Sequence, residues 1–328
     1  MQQFTGLNYL HIDIANQYGL DKESWNTRIQ WTKDHINTLE DEITNASNSI
    51  LYAKAVRALR DTQAGIPTGF IMGLDATASG YQIMAALTGC ITTASNVNIG
   101  NNSTRQDLYT NITKQMHGVC GITIDREDCK DAMIPVAYGS KRAPARLFGD
   151  DTPELEAFWK IIYMELPGAM WLMETLQSFW NPYALAHSWT LPDKHVALVK
   201  VMCPVDKKIE IDELNHTTFT HRAYVNKPDS SGLSLAANIV HSIDGYIVRE
   251  MIRRTNKKKI ELLTIHDCFY SHPNNMQSIR EFYVEILAEI SKAKILDSIL
   301  SEIAGSKVRI NQDADISVDI LSSEYALS

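Results

Sequence analysis

Apolar residues recur at helical spacing in two long segments of the chain. Over 153–166 they are Leu155, Phe158, Trp159, Ile162, Tyr163 and Leu166, and Thr152 stands as a cap before Pro153. Over 279–290 they are Ile279, Phe282, Tyr283, Ile286, Leu287 and Ile290. This spacing predicts two amphipathic helices whose apolar stripes are core faces. Short apolar runs rich in β-formers predict strands over 69–74, 196–202, 209–211 and 260–265. Two of these runs end in an acid: Leu74 leads into Asp75, and Ile265 into His266 and Asp267. The middle, 104–195, reads mostly helical. The chain therefore leaves a sheet, makes a helical excursion and returns, which is an α+β layout.

Composition adds exclusions. The 328 residues suffice for two domains or one large one. Hydrophobic residues at 45% and charged residues at 21% exclude disorder and collagen-like repeats. No apolar run approaches the ~18–20 residues that cross a bilayer. The first ten residues lack the basic-then-apolar order of a secretory leader. The five cysteines (Cys90, Cys120, Cys129, Cys203, Cys268) form no CxxC pair. That argues against a paired-Cys zinc site and a dense disulfide framework, and fits a reducing, cytosolic compartment. A net charge of −8, taken alone, argues against a nucleic-acid binder.

Four short patterns carry candidate chemistry. Residues 73–80 read Gly-Leu-Asp-Ala-Thr-Ala-Ser-Gly and place the Asp75 carboxylate beside open backbone; a turn with a capping Asp reads the same way. Arg126 and Lys130 lie one helical turn apart on one face, with Tyr138 and Gly139 beyond them. Two cations aimed together suit a triphosphate. A solvated basic face paired with Asp125, Glu127, Asp128 and Asp131 is the plainer alternative. Residues 265–269 read Ile-His-Asp-Cys-Phe, and 240–245 read Val-His-Ser-Ile-Asp-Gly. A lone histidine in such a segment can equally be a satisfied core residue. Jointly the patterns say more. Two acids at strand ends can meet and hold two divalent metals for in-line displacement at phosphorus, with the Lys/Arg pair gripping the substrate.

In this order the motifs resemble those of the single-subunit, phage-type DNA-directed RNA polymerases, also found in mitochondria. Arg126-x3-Lys130-x7-Tyr138-Gly139 matches that family's motif B, and 137–141 (Ala-Tyr-Gly-Ser-Lys) matches it locally. His241-Ser242-x-Asp244-Gly245 is similar to its ribose-sensing segment. His266-Asp267-Cys268-Phe269 resembles its His-Asp-Ser-Phe, with Cys in place of Ser. Residues 320–326 resemble its C-terminal foot, which ends near the active site. A related DNA polymerase is disfavoured by Cys268 and Ile134, where those enzymes carry Glu and Phe. A non-catalytic scaffold is disfavoured because Asp75, Lys130 and Asp267 are all present.

The resemblance implies a right-hand polymerase palm with an antiparallel sheet and a mostly helical fingers subdomain inserted. The palm's first part would be 1–103, the fingers 104–241, and the second palm part with the foot 242–328. It implies catalysis by Asp75, Asp267, Lys130 and Tyr138. Asp75, Asp267 and the Ala76 carbonyl would hold two Mg2+ ions. Arg126, Lys130, Tyr138, Gly139 and His241 would bind substrate, with His241 reading the 2′-hydroxyl.

Implied partners are a DNA template, the RNA product and ribonucleoside triphosphates, with no membrane. The Asp/Thr-x-x-Gly-Arg motif, the thumb and the large N-terminal domain of the family are not recognisable here; residues 61–65 have no Arg after the Gly. The expectation is a split, heterodimeric enzyme, phage-encoded and working in the cytoplasm of the infected cell. This chain would be the subunit with motifs A, B and C, and a second polymerase subunit would carry the rest. Trp25, Ile29 and Trp31 are candidate interface anchors. A hairpin over 207–220 is expected to read promoter or upstream DNA. Lys141, Arg142 and Arg146, and the cluster Arg253, Arg254, Lys257, Lys258 and Lys259, are candidate phosphate contacts.

Overall fold

The computed structural model describes residues 1–228 and 233–328. The chain is an α+β fold. Its strands are β1 (Met72–Asp75), β2 (Ala186–Thr190), β3 (Val196–Lys200), β4 (Cys203–Ile211), β5 (Thr217–Val225), β6 (Leu263–Ile265) and β7 (Cys268–Ser271). The central sheet has the order β1-β7-β6 and is antiparallel throughout. Two separate hairpins, β2-β3 and β4-β5, complete the strands.

Strand periodicity sorts the central sheet into two faces. Leu74 pairs with Phe269, and Met72 with Ser271; all four are buried in the main core. Gly73 pairs with Tyr270, and Asp75 with Cys268, on the opposite face. A Cβ at Gly73 would lie 2.5 Å from the Tyr270 ring, so glycine is what lets that ring lie across β1. Behind the core face runs the helix Ser79–Thr88, every described residue of which from Gly80 onward is buried. It is buried around its circumference because Pro167–Ser178, Leu233–Lys257 and Met276–Lys292 all pack on it. A second, smaller core joins Leu10, Ile14, Leu39, Tyr52, Val56 and Leu59 near the N-terminus.

Both amphipathic helices form, as Pro153–Glu165 and Met276–Lys292. Thr152 Oγ1 accepts from the Leu155 amide at 3.2 Å, the expected cap. All six apolar stripe residues of the second helix are buried, but Tyr163 of the first is 43% exposed. The strand expected over 260–265 shortens to β6, because Ile260 N–H still bonds the preceding helix at Thr255 O, 2.9 Å away. The hairpin expected over 207–220 is longer, with nine residues in each strand.

The expected interface anchors need correction. Trp25 and Ile29 are buried inside this chain. Trp25 stacks on Tyr325 at 5.4 Å between centroids, and its Nε1 donates to Glu324 O at 3.0 Å. The guanidinium groups of Arg28 and Arg280 lie 4.5 and 4.8 Å from its ring centre. Trp31 is half-buried against Tyr18, at 4.3 Å. Among the described residues no helix is long and apolar enough to cross a membrane.

Candidate active site

Asp75 is the last residue of β1, and Asp267 is the second residue of the two-residue turn joining β6 to β7. His266, the first, takes the left-handed conformation with φ 53° that this tight turn requires. The Ala76 amide donates to Asp267 O at 3.1 Å, which locks the two acid-bearing segments together at one end of the sheet. Both acids line one cleft of about 330 Å³, with Ala76, Arg126, Lys130 and Tyr138. The Asp75 carboxyl is pushed up to about 6, first by desolvation in the cleft and then by the Asp267 charge; Lys22 and Lys130 partly offset this.

The helix Arg126–Val136 supplies the cations. Asp125 caps it, accepting from the Glu127 amide at 3.0 Å. Its buried residues Cys129, Met133 and Val136 face the core, and Arg126 and Lys130 flank that face at the cleft. Arg126 is not free. It grips Asp107 through Nε at 2.8 Å and Nη2 at 3.3 Å, and Glu127 through Nη1 at 2.6 Å. Lys130 lies 3.6 Å from Glu127. The plainer reading of a carboxylate-paired basic face is thus partly realised, although the main partner comes from another helix.

Pro135 lies in the last turn of this helix, which ends at Val136. The chain then closes with Gly139 N–H on Val136 O at 2.9 Å. Gly139 has φ 85°, a conformation that favours glycine. This turn sets Tyr138 at the cleft wall, its ring stacked on His241 at 4.4 Å. His241 reaches the cleft only through that stack. Gly139 lines a neighbouring hollow instead, with Trp159, Tyr163, Met170 and Met173.

One turn beyond His241, on the same helix, stands Asp244. Its carboxyl is also pushed up to about 6, by burial and then by Asp267, with His266 opposing. Asp244 thus feels the Asp267 charge without lining the cleft, whose wall also holds Asp21, Lys22, Arg105 and Asp107. Sequence reading placed Asp244 and His266 within motifs without assigning them roles of their own; it passed over Asp21, Lys22, Arg105 and Asp107.

The loop after Asp75 is held by the C-terminal segment. Ser328 N–H donates to Asp75 O at 2.9 Å, and Thr77 N–H to Ala326 O at 3.2 Å. Buried Gln82 is the hub: its Nε2 reaches Thr77 Oγ1, Val97 O and Ala326 O at 2.9 to 3.1 Å, and its Oε1 accepts from Tyr283 at 2.7 Å.

Two carboxylates and the Ala76 carbonyl make an all-oxygen donor set suited to Mg2+. The Ala76 oxygen already accepts from Ala78 N–H at 3.0 Å, leaving one lone pair. A divalent cation would offset both the desolvation and the Asp267 repulsion that raise Asp75. Among the described residues, the one cluster of three metal-ligating side chains is Glu210, Asp212 and His216, exposed on the β4-β5 hairpin and outside the cleft.

Of the expected phosphate contacts, Arg254 is corrected. Glu250, Glu285 and Glu289 surround it, and only 17% of its side chain is exposed. Arg253 pairs with Glu250, and Lys258 lies over the Phe282 ring.

Comparison with known proteins agrees with this geometry. Residues 2–134 and 201–322 match the family described as DNA-dependent RNA polymerase. The matched segments contain Asp75, Arg126, Lys130, His241 and Asp267; Tyr138 falls just outside them. A "Probable DNA-directed RNA polymerase" of Neurospora crassa is 22% identical over 352 residues, covering 82% of this chain and 38% of the relative. One of Agaricus bitorquis is 24% identical over 343 residues, covering 83% and 31%. This chain thus spans about a third of the length of the curated relatives it matches. It belongs to the phage-type DNA-dependent RNA polymerase family.

Proposed function

We propose that this chain carries the nucleotidyl-transfer centre of a DNA-directed RNA polymerase, adding ribonucleotides to an RNA 3′ end on a DNA template. The observation that carries this reading is the meeting of Asp75 and Asp267 at one end of one sheet, in a cleft also lined by Arg126, Lys130 and Tyr138. Asp75, Asp267 and the Ala76 carbonyl would hold two Mg2+ ions, which activate the attacking hydroxyl and stabilise the leaving oxygen when bound. Arg126 and Lys130 take the triphosphate. The Glu127 carboxylate on Arg126 Nη1 is 62% exposed, so that surface pair yields to a phosphate oxygen at little cost. The Asp107 pair keeps the other edge of the guanidinium aimed. Lys130 protonates pyrophosphate as it leaves. Tyr138 and His241 together read the ribose.

In this reading 1–103 and 242–328 form the palm and 104–241 the fingers. A second polymerase subunit carries the thumb and N-terminal parts. The test is extension of an RNA primer on a DNA template with ribonucleotides and Mg2+. The chain is assayed alone and with the product of its neighbouring reading frame. Template-directed, chelator-sensitive extension by the pair is expected. No incorporation in either preparation would overturn the reading.

A further inference from the structure

Four cations line the cleft: Lys22, Arg105, Arg126 and Lys130. Three are ion-paired, Lys22 with Asp21, Arg126 with Asp107 and Glu127, and Lys130 with Glu127. Among the described residues Arg105 has no ion pair. Its one hydrogen bond runs from Nε to Ser328 Oγ, at 2.8 Å. That bond fixes the fork while leaving both terminal nitrogens open. The same Ser328 donates its N–H to Asp75 O at 2.9 Å, so the open fork and the acid share one anchor. Burial holds the Arg105 pKa below its ordinary value; Asp21 and Asp107 oppose this, and nearby Arg126 adds to it. Asp107 is engaged by Arg126, and neither it nor Asp21 is ion-paired with Arg105, so a bound anion would offset the cost of burying that charge.

We propose that Arg105 is a substrate-contact residue of this cleft, its terminal nitrogens taking phosphate oxygens of the incoming nucleoside triphosphate beside Arg126 and Lys130. This rests on the polymerase reading for the identity of the substrate, but not for the anion site. The planar fork suits two oxygens of one phosphate, which an ammonium in its place would not match. Nothing in the hydrophobic pattern marks Arg105, because its geometry comes from a residue at the other end of the chain.

The experiment has two arms on the purified protein. In the first, binding of tripolyphosphate with Mg2+ is measured at equilibrium for wild type, Arg105→Gln and Arg105→Lys. Arg105→Gln should weaken it about tenfold or more, with Arg105→Lys between the two. The KM for ribonucleotides should rise by the same factor, with kcat changed less. In the second, phenylglyoxal modification of Arg105 in the wild type is mapped by mass spectrometry with and without tripolyphosphate. Protection is expected, and this arm decides the matter should Arg105→Gln fail to fold. Unchanged tripolyphosphate affinity in a folded Arg105→Gln, or full modification of Arg105 under saturating tripolyphosphate, would overturn the proposal. So would a loss of template affinity alone, which would make Arg105 a nucleic-acid contact. Protection and weakened binding without any ribonucleotide incorporation by the wild type would support the anion site while failing the polymerase reading.

Discussion

The Tyr138 ring lies nearly parallel to the His241 imidazole, with centroids 4.4 Å apart and an angle of 11° between planes. One comes from the turn after Val136 and the other from the helix Leu233–Lys257, so each fixes the other's position. The Tyr138 hydroxyl also passes over Gly80, where a Cβ would be 3.4 Å from it. Tyr138→Phe keeps the stack and removes only the hydroxyl. Extension should therefore persist, while preference for ribonucleotides over deoxynucleotides falls about tenfold. Matched incorporation of ATP and dATP measures this. An unchanged ratio would take the hydroxyl out of sugar selection.

The raised Asp75 carboxyl has a consequence for stability. It keeps its proton to about pH 6 in the fold, against 3.8 ordinarily. The stability tied to the protonated form is complete below about pH 4 and is lost as pH rises through 6. At pH 8 the ionised group works against the fold. Asp75→Asn should then unfold up to about 2 °C higher than wild type at pH 8, the gap closing toward pH 4. Calorimetry across this range tests it; a gap independent of pH would contradict it.

Lys130 faces the cleft with one loose carboxylate neighbour, Glu127 at 3.6 Å. In the proposed reading its charge meets the leaving phosphates and not the template. Lys130→Ala should slow single-nucleotide addition on the order of a hundredfold and leave template affinity unchanged. Single-turnover kinetics beside template-binding titrations separate the two. Equal losses would assign Lys130 to DNA.

Gln82 ties Thr77, Val97, Ala326 and Tyr283 together in a buried network. Gln82→Leu leaves those groups without their partner. Its cost should be about 2–3 kcal/mol, and the C-terminal segment should become the first site of proteolysis. Denaturant unfolding with limited proteolysis tests both. A variant as stable and as protected as wild type would mean the network holds nothing in place.

The sequence made some of this legible because local pattern and local structure coincide. Leu74 running into Asp75 marks a strand end in both, and Arg126 with Lys130 marks one helix face. β7 was not legible, since four residues directly after a two-residue turn carry too short an alternation to read. Trp25 looked available to a partner because what covers it, Tyr325, lies at the far end of the chain. Asp107 went unread: it caps one helix and also holds Arg126, a contact between elements that no periodicity encodes. Arg254 read as a phosphate contact because its charge was visible and its three glutamates were not.

The central claim, that Asp75 and Asp267 together form the metal centre, is tested most directly through Asp267→Asn. This change removes one charge, preserves the turn and keeps the main-chain bond to Ala76. Single-turnover primer extension with Mg2+, by the protein together with the product of its neighbouring reading frame, should fall on the order of a thousandfold, while template binding and folding stay intact. Extension within about threefold of wild type, a change too small for a lost metal ligand, would contradict the account.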